Sequence, residues 1–150
     1  MPPPLAFIKD IKHMKDEKFL VTIEKDSDGT FIAYNVDESP YTLIGRGATV
    51  KEAKADFANS MQEVKASEEE RKGAAAPILS TVPVFSFDLS SLFEYYSMLN
   101  VSAFARYLGI NETLMRQYKK GNTYISDVQL KKIEDGLHRL GADFLGLRLV

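Results

Sequence analysis

From Asn100 to Gly121 the chain reads NVSAFARYLGINETLMRQYKKG, two helical patterns separated only by Gly109, Ile110 and Asn111. Neither pattern is long enough to hold as an isolated helix in water, so each must bury its apolar side against the other. Val101, Ala105 and Leu108 share one side of the first pattern, which stops at Gly109, where a positive φ costs little. Asn100 and Asn111 stand where side-chain caps are needed. Ala105 is small where two helix backbones have to come close, and Ile110 fills the corner. In the second pattern Met115 and Tyr118, three apart, point inward. Glu112, Thr113, Arg116, Gln117, Lys119 and Lys120 are left on the outer side, and Gly121 ends the helix.

Strand signals are confined to the chain before residue 88. In KFLVTIEK, Phe19, Val21 and Ile23 alternate with Leu20, Thr22 and Glu24; TFIAYNV alternates likewise, and Asp26-Ser-Asp-Gly29 separates the two runs, a hairpin pattern. YTLIG gives a third strand ending in a Gly45-Arg-Gly47 turn, and Thr49 with Glu52 forms a capping box. Val50, Ala53, Phe57, Met61 and Val64 then follow at gaps of 3, 4, 4 and 3, the stripe of a helix lying on a sheet. The period is lost over residues 66–81, which read as an exposed connection. VPVFSF offers Val82 and Val84, with either Phe85 or Phe87, for a fourth strand, and Pro83 places it near an edge.

These patterns predict an α+β first domain of order βββαβ at 19–87 and an all-α domain at 88–150. Residues 1–18, with Pro2-Pro-Pro4 and mixed charges, read as a flexible extension. The second domain is expected to hold four helices, starting from Leu89, Leu92, Tyr96 and Leu99 behind a Ser91 to Glu94 box. The last begins at Ser126, carries Leu130, Ile133, Leu137 and Leu140, and stops at Gly141. In the tail at 142–150, Leu145, Leu147 and Leu149 alternate like a strand that pairs with a second copy or packs back on the first domain.

Residues 1–87 carry 11 Lys/Arg against 14 Asp/Glu, and residues 88–150 carry 8 against 7. Within 111–132, however, Arg116, Lys119, Lys120, Lys131 and Lys132 face only Glu112 and Asp127, a local basic patch. With no cysteine and only His13 and His138, neither a disulfide framework nor a zinc cluster is expected. His13 falls in the extension, and His138 reads as a surface residue near a helix end. Glu24, Asp26 and Asp28 are the nearest approach to a carboxylate set for two-metal nuclease chemistry; Asp26 and Asp28 have a sufficient role as turn residues. The aromatic residues Phe7, Phe19, Phe31, Tyr34, Phe57, Phe85 and Phe87 read as core. No signal peptide or membrane span is visible, and a cytoplasmic, non-enzymatic protein without metal or cofactor is expected.

The 100–121 pattern is that of a helix-turn-helix, and residues 89–141 resemble phage-repressor-like domains. By that resemblance Glu112, Thr113, Arg116 and Gln117 are base readers, while Ser102, Lys119, Lys120 and Asn122 hold phosphates. DGTFIAY followed by GRGATVKEA, with Asp26 to Gly29 and Gly47 to Ala53 carrying the match, resembles the first domain of HicB-type antitoxins. Where that family has a Pro-x-Leu-Pro-Gly turn, this chain has Asp37-Glu38-Ser39-Pro40. The resemblance implies a truncated ribonuclease-H-like domain that binds a small, basic, RNA-cutting toxin, joined to an operator-binding repressor domain. Double-stranded operator DNA, such a toxin and a second copy of the chain are thus the expected partners, with no membrane. The alternatives are a regulator whose first domain senses a small molecule or oligomerises, and a metal-dependent nuclease.

Overall fold

Phe19, Val21 and Ile23 lie fully buried on one side of the first strand while Leu20 is exposed, the alternation the sequence carries. In the computed structural model, which describes residues 18–36 and 39–150, this strand is β1 (Leu20–Lys25). The extension at 1–17, with His13 and Phe7, and the pair Asp37-Glu38 lie outside the described residues. β1 pairs antiparallel with β2 (Phe31–Asn35), which pairs antiparallel with β3 (Ile44–Gly47). The helix α1 (Val50–Lys72) then returns the chain so that β4 (Val84–Phe87) lies parallel to β1, giving the mixed order β3-β2-β1-β4. The expected βββαβ order is therefore present, with β4 at an edge. Phe85 and Phe87, not Val82 and Val84, turn toward the core: Val82 is 86% and Val84 45% exposed.

α1 starts from the expected box, since Thr49 Oγ1 accepts from Glu52 N while the Glu52 carboxylate accepts from Thr49 N. Its face of Val50, Ala53, Phe57 and Met61 is buried on the sheet, with Val64 half-buried. The helix does not stop where the stripe stops. It runs through SEEERK, where a connection is expected, to a left-handed cap at Gly73. Ala, Glu, Arg and Lys favour helix intrinsically, and the added turns bury Glu68. Glu68 Oε2 accepts from the Tyr41 hydroxyl at 2.7 Å and from Ala76 N at 3.3 Å, and Oε1 accepts from Lys72 Nζ at 3.2 Å. One carboxylate thus ties together the approach to β3, the helix and the chain beyond it. The rest of the connection is anchored by a 3-10 turn, Pro77–Ser80, through buried Leu79.

Two glycines are used differently from what the sequence suggests. Gly45 and Gly47 belong to β3, and neither has a positive φ. A Cβ at Gly45 would meet the backbone of Phe57 and Ala53, and one at Gly47 would meet Glu52 Cβ and the backbone of Glu52 and Ala53. They are there because α1 lies directly on β3, not because the chain turns.

The helix α2 (Leu89–Tyr95) belongs to the sheet unit, and the division between units falls between Tyr95 and Tyr96. Its cap is Asp88, whose Oδ1 accepts from Ser91 N while Oδ2 accepts from Lys25 N, so Ser91 and Glu94 form no box. Glu94 instead accepts from Val50 N at 3.0 Å, capping α1. Lys54 Nζ lies 4.3 Å from the Phe85 ring centre and 4.4 Å from that of Tyr95. Moving the boundary from 88 to 96 changes the charges: the first unit holds 11 Lys/Arg against 16 Asp/Glu, a formal −5, and the second 8 against 5, a formal +3.

The second unit contains α3 (Val101–Leu108), α4 (Glu112–Lys120) and α5 (Asp127–Gly146), three helices rather than four. Phe104, Ala105, Leu108, Ile110, Met115, Tyr118 and Ile133 form its buried positions, and Gly136 of α5 meets Leu108. α5 is capped by Ser126 as expected, yet it passes through Gly141. Glycine permits a stop without imposing one, and Ala142 to Leu145 continue the helix. His138 is therefore two turns short of the helix end, and the strand expected in the tail at 142–150 is absent: its first half is helix and residues 147–150 form none.

Candidate nucleic-acid interface

The α3–α4 corner is built from local signals. Asn100 Oδ1 accepts from Ala103 N at 2.9 Å and Asn111 Oδ1 from Leu114 N at 3.0 Å, so each helix begins with a satisfied donor. Between them Gly109, at φ +70°, lets its own N–H reach Arg106 O and Ile110 N–H reach Ala105 O. Those bonds close α3 and turn the chain while Ile110 is buried in the bend. Ala105 is fully buried at this junction, and Met115 and Tyr118 hold α4 inward. Lys132 Nζ of α5 reaches the Gly109 carbonyl at 3.5 Å, adding a cation at the end of α3.

The outer face of α4 carries Thr113, Arg116, Gln117, Lys119 and Lys120, all exposed, with Glu112 half-buried at its start and Asn122 exposed just past Gly121. Positions 113, 116, 117 and 120 are helix neighbours and form one side chain array. Arg116 does not extend straight into solvent. Its Nη1 donates to Ser102 Oγ of α3 at 2.9 Å, its Nη2 donates to Thr113 Oγ1 at 3.1 Å, and Nη1 lies 3.8 Å from Glu112 Oε2. Glu112 Oε1 accepts from Arg106 Nη1. So Ser102, expected to hold a phosphate, and Glu112 and Thr113, expected to read bases, all meet Arg116. Arg106 joins this cluster without belonging to the outer face of α4, and its signal in the sequence is the pair of opposite charges flanking the Gly109 to Asn111 break.

No family model, curated protein or solved structure matches this chain. What the interface can do is therefore argued from its own chemistry. Lys131 is drawn into an ion pair with Asp135 at 3.0 Å, and its pKa is raised by that hydrogen bond. With Lys132 at the Gly109 carbonyl, the basic charge on the outer side of α4 itself comes from Arg116, Lys119 and Lys120. A guanidinium fork, a primary amide and two ammonium groups on one exposed helix face suit an anionic polymer whose surface also offers donor and acceptor edges.

The three carboxylates of the first hairpin, Glu24, Asp26 and Asp28, are engaged by backbone and side-chain groups of their own unit. Asp28 Oδ1 accepts from Thr30 Oγ1 at 2.6 Å and Thr30 N at 2.9 Å. Asp26 accepts from Ser27 N at 2.7 Å and pairs with Arg46 at 2.9 Å, and Glu24 accepts from the Tyr34 hydroxyl. Among the described residues no three His, Asp or Glu side chains gather to hold a metal ion, and no helix is long and apolar enough to cross a membrane. These bonds lower the pKa of Asp28 through Thr30, of Asp26 through Ser27 and then Arg46, and of Glu68 through Tyr41 and then Lys72. The folded state accordingly binds fewer protons than the unfolded chain in acid. The stabilisation is complete above the ordinary carboxylate range and is lost as pH falls through the lowered values. Thermal melts of the sheet unit are thus expected to change little from neutrality to about pH 5 and to move downward below about pH 4. Asp28→Asn and Glu68→Gln should each flatten that acid slope; unchanged slopes in both would show that these carboxylates are not what acid titrates.

Proposed function

We propose that this chain is an operator-binding regulator resembling the HicB-type antitoxins, with α3 and α4 as its helix-turn-helix. The observation that carries the reading is the α3–α4 corner: paired asparagine caps, a left-handed glycine and inward Met115 and Tyr118 present an outer face of Thr113, Arg116, Gln117, Lys119 and Lys120. In this reading α4 enters the major groove. Arg116 pairs with guanine, Gln117 with adenine and the Thr113 methyl with thymine, while Lys119, Lys120 and Asn122 meet phosphates. A formal charge of +3 on this unit supports it, because the phosphate term depends on charge near the duplex rather than on the chain's net −2.

The first unit, at a formal −5, suits a basic protein partner, and the family resemblance names its class: a small RNA-cutting toxin. The unit acts by binding and not by cutting, its hairpin carboxylates being occupied by backbone and Arg46. A helix as short as α4 reads few base pairs, so two copies of the chain occupy half-sites about 34 Å apart.

Selection of bound sequences from randomised duplexes by the full chain is the direct test. A recurrent, two-fold-related sequence is expected, and recovery of unselected DNA would remove the reading. On the selected duplex Lys120→Ala should weaken cognate and random DNA alike and reduce the salt slope by about one.

A further inference from the structure

We propose that Glu112 is a positioning residue that holds Arg106 and Arg116 in place, and that it does not read a base. The proposal rests on the DNA-binding reading of α4 and assigns a different task to one of its residues. Both Glu112 oxygens face guanidinium groups: Oε1 accepts from Arg106 Nη1, and Oε2 lies 3.8 Å from Arg116 Nη1. The carboxylate is also the least exposed of the three, at 37% against 63% for Arg106 and 50% for Arg116. A carboxylate reaching into the groove would leave two cations behind it and approach the phosphates with like charge.

Arg116 is gripped from three directions, by Glu112, by Thr113 one helical turn before it, and by Ser102 on the neighbouring helix. Both Nη atoms each use one N–H in these bonds, so each keeps a second N–H to give, and Nε keeps its own. A fork held in this way stays able to pair with the two acceptors of a guanine. Ordering it before contact reduces the side-chain freedom lost on binding. An exposed ion pair of this type adds little to stability, so its effect should appear in recognition.

Two measurements on the full chain decide the matter. In the first, Glu112→Gln and Glu112→Ala are put through selection from randomised duplexes beside the native chain. All three are expected to recover the same sequence. Discrimination at the base pair that Arg116→Ala affects should fall about three- to tenfold in Glu112→Ala, and less in Glu112→Gln, whose amide oxygen can still accept. Random duplex should be bound more tightly by both. A variant that exchanges the preferred base pair at one position, leaving the others intact, would identify Glu112 as a reader and overturn the proposal.

In the second, the side-chain NMR signals of Arg106 and Arg116 are followed without DNA. They are expected to lose their separate shifts in Glu112→Ala and to keep them in Glu134→Gln, which removes the same charge from α5. Unmoved arginine signals in Glu112→Ala also overturn the proposal. If the native chain selects no sequence, the DNA reading fails by itself, and the arginine signals still report whether Glu112 holds them.

Discussion

Gly45→Ala is expected to cost the sheet unit about 3 kcal/mol or more, at or above the top of the usual range for overpacking. β3 lies under α1 with no side chain between them at this point. An added Cβ would stand 2.7 Å from Phe57 Cα and closer still to Phe57 N and the Ala53 carbonyl. Overpacking is usually relieved by rotating a side chain, but these obstacles are helix backbone. α1 would have to lift, and Ala53 and Phe57, both fully buried, would lose their contact with the sheet. Since 1 kcal/mol is worth about 4–8 °C in a unit of this size, Tm should fall by more than about 10 °C. Amide exchange along the β1–β2 ladder localises the loss to this unit. Two glycines of the helical unit serve as contrasts. A Cβ at Gly136 meets mainly the end of the Leu108 side chain, which can turn aside, so Gly136→Ala should cost less. Gly141 has nothing within 4 Å and sits inside α5, so Gly141→Ala should stabilise that helix by about 0.5–1 kcal/mol. A Gly45→Ala protein melting like the native chain would show that β3 and α1 are not so closely packed.

Glycines separate what is local in this chain from what only folding brings together. Caps and left-handed stops are local events, so Asn100, Gly109, Asn111, Gly121 and Ser126 were all legible, as was the Val50 to Met61 stripe. Gly45 and Gly47 read as a turn in the sequence, because the reason for them is a helix backbone that only folding brings near. The final turns of α1 carry no apolar period; what fastens them is Glu68 to Tyr41, a bond across 27 residues. The pattern of α2 resembles that of the helices after it, and nothing local shows that Glu94 caps α1 from 44 residues away. The site follows the same rule. The residue types on the outer face of α4 could be read from helical spacing, whereas the grip of Ser102 on Arg116 joins two helices and could not.

That grip sets the terms of the largest effect expected on binding. Arg116→Ala should cost about 1–3 kcal/mol against the selected duplex, and the loss should fall on one base pair. The substitution removes the guanidinium but leaves Asn111, Met115 and Tyr118, so α4 remains capped and seated; circular dichroism and Tm should stay near native. Arg116→Lys separates charge from geometry. Lysine keeps the positive charge that random DNA senses, yet it cannot reach Ser102, Thr113 and a base edge together as a planar fork does. The lysine variant is therefore expected to bind random duplex nearly as the native chain does and to lose most of the cognate preference. Ser102→Ala should move in the same direction by a smaller step, because it loosens the fork without removing it. Titration of each variant against the selected duplex, the same duplex changed at single base pairs, and random DNA gives the comparison. If Arg116→Ala and Arg116→Lys both weakened every duplex by one factor, Arg116 would be a phosphate contact, and the reading of bases would have to be carried by Thr113 and Gln117.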